Sequence, residues 1–109
     1  MKRRKRRHKY NAKGTYSADG LWFPSKAEAR HYAKLLEAVR AGDIRDLRLQ
    51  PTYPIHLGGE KICTYRADFS YNDFKGHHVV DVKGFKTPLY KLKKKLVEAV
   101  YGITIEEVR

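Results

Sequence analysis

The sequence predicts a small α/β domain with a mixed sheet, in the order hairpin, helix, three strands, helix, strand. Three observations predict it. Two helix-length segments carry start and stop signals at both ends, Ser25 to Gly42 and Thr87-Pro88 to Gly102. Between them lie three strand-like runs, 47–55, 62–71 and 78–82, the last two separated by turn residues. The last run, the second helix and the final apolar residues form a strand–helix–strand unit, which should cross over right-handed and lie parallel. At 109 residues the chain has room for one core and no second domain.

Each element has its own reason. Asp19-Gly20, between Thr15-Tyr16 and Leu21-Trp22-Phe23, is a two-residue hairpin signal. Ser25 with Glu28 three residues on matches a capping box, and Tyr32, Leu35, Leu36 and Val39 share one helical face. Pro51 and Pro54 make 47–55 an edge or bent strand. Asn72 to Gly76 reads as a turn, and Val79-Val80-Asp81-Val82 as a central strand covered on both sides. Leu89, Leu92, Leu96 and Val100 give the second helix its apolar face, and Ile103, Ile105 and Val108 a short last strand.

Composition narrows the function. Twenty-four Lys and Arg oppose twelve Asp and Glu, a net charge of +12, which suits a polyanionic partner. Eight of the cations fall in residues 1–18 with no acid among them, so residues 1–13 read as a basic arm on a mildly basic domain, 14–109. Such an arm cannot pack into a core, and Arg3, Arg4, Lys5, Arg6, Arg7 and Lys9 are candidate phosphate contacts. No apolar run is long enough to span a membrane, and no h-region follows the basic block. The single Cys63 excludes an internal disulfide and a thiolate zinc cage. A cytoplasmic protein is the expectation.

The chemistry lies in four residues. Asp81 and Lys83 are two apart in a strand and share a face, while Val80 and Val82 point to the other. Asp68, across the turn in the preceding strand, should come near Asp81. Glu28 sits at the centre of the apolar stripe of the first helix, so it either caps the helix or points inward. Two carboxylates that close repel unless a cation or a shared proton lies between them. Three carboxylates and a lysine suit Mg²⁺ or Mn²⁺ and the hydrolysis of a phosphodiester, with the ammonium orienting water or stabilising the developing charge. No Ser/His/Asp arrangement competes, and Cys63 has no histidine base in its strand.

The pattern Glu28 … Asp68 … Asp81-Val82-Lys83 resembles the PD-(D/E)XK nuclease superfamily with its restriction-endonuclease-like fold, whose core has the same element order. The blocks KYNAKGTYSADGLWFPSKAEARHY, LQPTY, YRADFSY and VVDVKGFKT are similar to a family of small phage-type proteins often labelled only as a domain of unknown function. Archaeal Holliday-junction resolvases share the arrangement of acids and lysine. Ala67 stands where the motif's name has proline, and Asp81 in a slot often held by glutamate. The resemblance implies Asp68, Asp81 and the Val82 backbone carbonyl as metal ligands, Glu28 as a direct or water-mediated ligand, and Lys83 holding the attacking water. Gln50, in a recurrent block of that family, reads as structural, and His56, His77 and His78 as loop residues without ligand spacing. Cys63 reads as a small buried residue, and Trp22 and the tyrosines as packing.

A second basic run follows the acid–lysine pair. Lys86, Lys91, Lys93, Lys94 and Lys95 precede any acid until Glu98 and, with Lys26 at the start of the first helix, are candidate DNA contacts. The expected activity is a Mg²⁺-dependent DNA endonuclease acting on branched phage or mobile-element DNA, with a homodimer supplying two cuts. A non-catalytic nucleic-acid binding module, or a nickase, restriction-type or transposase-type nuclease on the same fold, are the alternatives.

Overall fold

Residues 14–109 are described by the computed structural model, and the arm, with Arg3, Arg4, Lys5, Arg6, Arg7 and Lys9, lies outside the described residues. Strands β1 (Thr15–Tyr16) and β2 (Trp22–Phe23) open the domain as an antiparallel pair. Their loop has three residues, Ala18 to Gly20, rather than the two expected. Gly20 takes φ 91°, and the backbone N–H of Ser17 donates to the Leu21 carbonyl at 2.8 Å, closing the loop one residue wider. The Asp19 carboxylate accepts from the Tyr32 hydroxyl at 2.7 Å, which fastens the hairpin to the next helix.

Helix α1 (Lys26–Ala41) starts and stops as its sequence signals. The Ser25 hydroxyl accepts from the Glu28 N–H at 3.1 Å, and Gly42, at φ 81°, ends the helix. Tyr32 and Leu35 are buried and Leu36 is half-buried, as the stripe predicts, but Val39 is exposed while its neighbour Ala38 packs on the core.

Proline and a break in register divide the middle strands. The run expected over 47–55 is two strands, β3 (Arg45–Leu49) and β4 (Thr52–Leu57), parted at Gln50-Pro51. The run expected over 62–71 is likewise β5 (Glu60–Arg66) and β6 (Phe69–Asp73), parted at Ala67-Asp68. Pro51 has no N–H to donate and Gln50 takes φ 53°, so the strand bends there. The partner strand bends beside it, and the two stay joined by Gln50 N–H to the Asp68 carbonyl (2.9 Å) and Ala67 N–H to the Pro51 carbonyl (3.0 Å). Beyond the bend β4 and β5 form their own hairpin, turned by Gly58 and Gly59, both at positive φ.

Strand β7 (Gly76–Val82) follows β6 through a tight turn in which the Asp73 carboxylate accepts from the N–H groups of Lys75 and Gly76. The main sheet has the order β3-β6-β7-β8, with β8 (Ile105–Val108) parallel to β7 and the other pairs antiparallel. The edge position of β3 and the central position of β7 are those the sequence predicts. Successive residues of β7 face opposite cores. Val80 packs with Phe23, Tyr32, Leu35, Ile44 and Phe69 beneath α1, and Val79 packs with Ile55, Tyr65, Ala67, Val97 and Ile105 on the other side.

Helix α2 (Pro88–Tyr101) is capped by Thr87 and Gly102 as expected, but it is rotated about its axis by roughly a quarter-turn from the leucine-stripe reading. Its buried residue is Val97, flanked by half-buried Tyr90, Lys93 and Lys94, whereas Leu89, Leu92 and Val100 are exposed and only Leu96 is half-buried. The cause is chemical. Tyr90 and Lys93 fill volume with ring and stem while their polar ends reach the Glu107 carboxylate (2.8 Å) and the Thr64 carbonyl (3.3 Å). His56 lies in β4, and His77 and His78 lie in β7, so none is a loop residue. Cys63 is half-buried on β5. Trp22 is half-exposed, edge-on to Tyr16, while Tyr32 and Tyr65 are core. Among the described residues no helix is long and apolar enough to cross a membrane.

Candidate active site

The bends that break the middle strands place the acids. Phe69 pairs with Val80, so Asp68 arrives one residue beyond the ladder, beside Asp81. The Asp68 N–H donates to Asp81 Oδ1 at 2.9 Å, and Asp68 Oδ2 accepts from the Val82 N–H at 2.8 Å. Each aspartate thus braces the other's strand. The second oxygen of Asp81 accepts from the Tyr65 hydroxyl. Asp81 is 1% exposed, and burial raises its pKa. Tyr65's hydrogen bond and the Lys83 charge act against that rise, while the Asp68 charge adds to it.

Glu28 approaches from the other layer. It is 6% exposed, and its Oε2 has no hydrogen-bond partner among the described residues. The Ser25 hydroxyl accepts from the Glu28 backbone N–H, but the Glu28 carboxylate accepts no bond back from Ser25, so it points inward rather than closing a capping box. Burial first, then the charges of Asp68 and Asp81, push its pKa up to about 7, while Lys83 and Arg66 pull it down. Two layers of the fold therefore bring Glu28, Asp68, Asp81 and Lys83 within electrostatic reach of one another.

Lys83 leaves the end of β7 and sets its Nζ 4.6 Å from the centre of the Tyr90 ring. Tyr90 in turn donates to Glu107, which stands level with Asp81 on the neighbouring strand. Glu107 also accepts from Lys86 (2.9 Å) and pairs with Lys94 (3.4 Å), and Lys86 first, with Tyr90, holds its pKa down to about 2. Of the candidate DNA contacts, Lys86 and Lys94 are thus already paired, Lys93 is half-buried, and Lys26, Lys91 and Lys95 are exposed.

Sequence reasoning missed Tyr65, Tyr90, Arg66 and Glu107. Tyr65 and Arg66 immediately precede Ala67-Asp68 in the YRADF block, and a parallel last strand already implies an acid beside Asp81. Gln50 contributes through its backbone, as the structural reading expects.

The donor chemistry fits a hard divalent cation. Carboxylates from α1, the bend between β5 and β6, and β7 lie within electrostatic reach of one another, and one Glu28 oxygen is buried without a partner among the described residues, the kind of donor such a cation takes. As placed, no three His, Cys, Asp or Glu side chains among the described residues stand close enough to close around an ion.

A small α/β domain with a mixed sheet and a buried carboxylate cluster at the end of its central strand is thus the class the geometry defines. Over residues 7–106 the chain matches the family described as protein of unknown function (DUF1064), and it belongs to that family. No curated protein and no solved structure matches it.

Proposed function

We propose that this chain is a metal-dependent DNA endonuclease on a restriction-endonuclease-like core, acting on branched DNA. One observation carries the reading: Glu28, Asp68 and Asp81 collect beside Lys83, with a buried Glu28 oxygen left unpaired. Uncompensated carboxylates in a core are costly, and a cation would offset the cost. The N-terminal basic block and the exposed lysines supply the complement to a phosphate backbone.

Glu28, Asp68, Asp81 and the Val82 carbonyl would hold Mg²⁺, or Mn²⁺ in its place, and the ion would polarise the phosphodiester. The chain's own groups do the rest. Tyr65 fixes the Asp81 carboxylate, and the Val82 N–H fixes that of Asp68. Tyr90 holds the Lys83 ammonium where it can orient water and offset charge developing on the phosphate. A single site cuts one strand, so resolution of a four-way junction takes two chains related by a two-fold axis.

A second reading, a non-catalytic nucleic-acid binding module, is favoured by one observation. The aspartates already brace Val82 and Asp68 N–H groups and do not close around an ion as they stand. Cleavage of four-way junction, flap and linear duplex, with and without Mg²⁺, separates the two. The nuclease reading expects Mg²⁺-dependent cutting that is abolished by Asp68→Asn, Asp81→Asn and Lys83→Ala, with DNA affinity equal or tighter in the aspartate variants. Full cutting by either aspartate variant would refute it, and binding without cutting in all three DNAs favours the module.

A further inference from the structure

Beside the carboxylates, a cleft of about 470 Å³ opens between β5 and the first turns of α2. Tyr65 and Tyr90, which touch Asp81 and carry Lys83, form its end nearest the acids, with their ring centres 6.4 Å apart. Its charged lining residues are Arg66 and Lys93, and no acid lines it. Arg66 is exposed and makes no ion pair among the described residues. Lys93 spends one donor on the Thr64 carbonyl and keeps two. Thr52 and Thr64 add hydroxyls along the strand side.

This contrasts with the Glu107 cluster, where Lys86 and Lys94 neutralise a carboxylate. The cleft cations form no such ion pair among the described residues, although the Arg66 charge is felt at Glu28. An unneutralised pair of cations with hydroxyls and aromatic faces matches a nucleotide: phosphate on the cations, sugar and base against the rings.

We propose that this cleft seats one nucleotide of the bound DNA strand, its phosphate held between Arg66 and Lys93, next to the phosphodiester at the carboxylates. The inference rests on the reading of the chain as a DNA-acting protein and names where the strand leaves the site. Neither tyrosine is an ordinary surface contact in this scheme, because the same rings position Asp81 and Lys83.

The test is equilibrium binding of the full chain to a labelled four-way junction in EDTA, across a range of salt. Arg66→Gln and Lys93→Gln should each reduce the slope of log affinity against log salt, and the double variant should lose ~0.9 in all, the share of one phosphate. Lys34→Gln, on the exposed face of α1, should leave the slope unchanged. Arg66→Gln alters an exposed side chain, so it keeps the test valid if Lys93→Gln weakens the fold. A scan of single methylphosphonate linkages should find one position whose neutralisation weakens the wild type but not Arg66→Gln. Binding with a wild-type slope in Arg66→Gln, or with no coupled linkage, overturns the cleft and leaves the nuclease reading standing. Coupled binding without Mg²⁺-dependent cleavage supports the cleft and removes the nuclease reading. No binding at all overturns both.

Discussion

Replacing Glu28 by glutamine should make the metal-free protein more stable, by an amount that depends on pH. In the unfolded chain the Glu28 proton leaves near pH 4.5, whereas in the fold burial and the two aspartates hold it until about 7. Between those values the folded state binds more protons than the unfolded one, so stability falls as pH rises. The gap is about two and a half pH units, and at ~1.4 kcal/mol per unit it costs at most ~3.5 kcal/mol by pH 8. Glu28→Gln keeps the shape and removes the charge. Urea unfolding in EDTA, followed by far-UV circular dichroism, should show the variant ahead by about 2–3 kcal/mol at pH 8 and by under ~0.5 kcal/mol at pH 4.5. Added Mg²⁺ should narrow the gap at pH 8 by stabilising the wild type more than the variant. A difference that does not change with pH, or a wild type more stable at pH 8 in EDTA, would refute the account of an uncompensated buried carboxylate.

Three further perturbations address other parts of the molecule. Tyr65→Phe strips a hydrogen bond from the buried Asp81 carboxylate, so it should cost ~1–3 kcal/mol and move the acid limb of any cleavage profile to higher pH. The hydrogen bond His78 makes to the Glu106 carboxylate, and then the Asp73 carboxylate beside its other ring nitrogen, raise the pKa of His78, so its contribution to stability is complete below its unfolded value of 6.5 and is lost as pH rises through the folded value. Urea titrations at pH 6 and pH 9 should therefore show His78→Asn losing more at the lower pH, and an equal loss at both would count against the ion pairs. Val97→Ala should cost ~2 kcal/mol or more, because two methyl groups leave a fully buried site, while Leu92→Ala on the same helix should cost under ~0.5 kcal/mol. Equal costs would mean that α2 is not rotated as described.

How much was legible in the sequence depended on whether the signal was local. Caps and stops are local, and Ser25, Gly42, Thr87 and Gly102 all act as their neighbours imply. The adjacency of Asp68 and Asp81 was legible because a short turn fixes register across one hairpin. For Glu28 the sequence left a cap and an inward aim open, and its place among Tyr32 and Leu35 carried the second, which the fold shows. The rotation of α2 was not legible, because a wheel counts leucines as buried and lysines as solvated. In the fold, Lys93 spends its stem on packing and its charge on a carbonyl, and Leu92 is left outside. The β4–β5 hairpin had a signal that went unused, Gly58-Gly59, a two-residue turn between apolar runs. Tyr65 stayed hidden because a tyrosine in a strand gives no hint that its hydroxyl will meet a carboxylate sixteen positions away.

The doubled bend at Gln50-Pro51 and Ala67-Asp68 divides the chain into a portion free to vary and a portion that is not. Two backbone bonds clamp the base of the β4–β5 hairpin, so Asp68 takes its position from the clamp and not from anything farther out along the hairpin. Lengthening or shortening the loop at Gly58-Gly59 would change the reach of that projection while leaving the register of the acids intact. The side chain at position 50 is similarly released, since its contribution to the clamp is an N–H and a left-handed backbone that glycine or asparagine also accepts. Related chains can therefore diversify the surface that the projection offers to a partner without rebuilding the carboxylate cluster at its root.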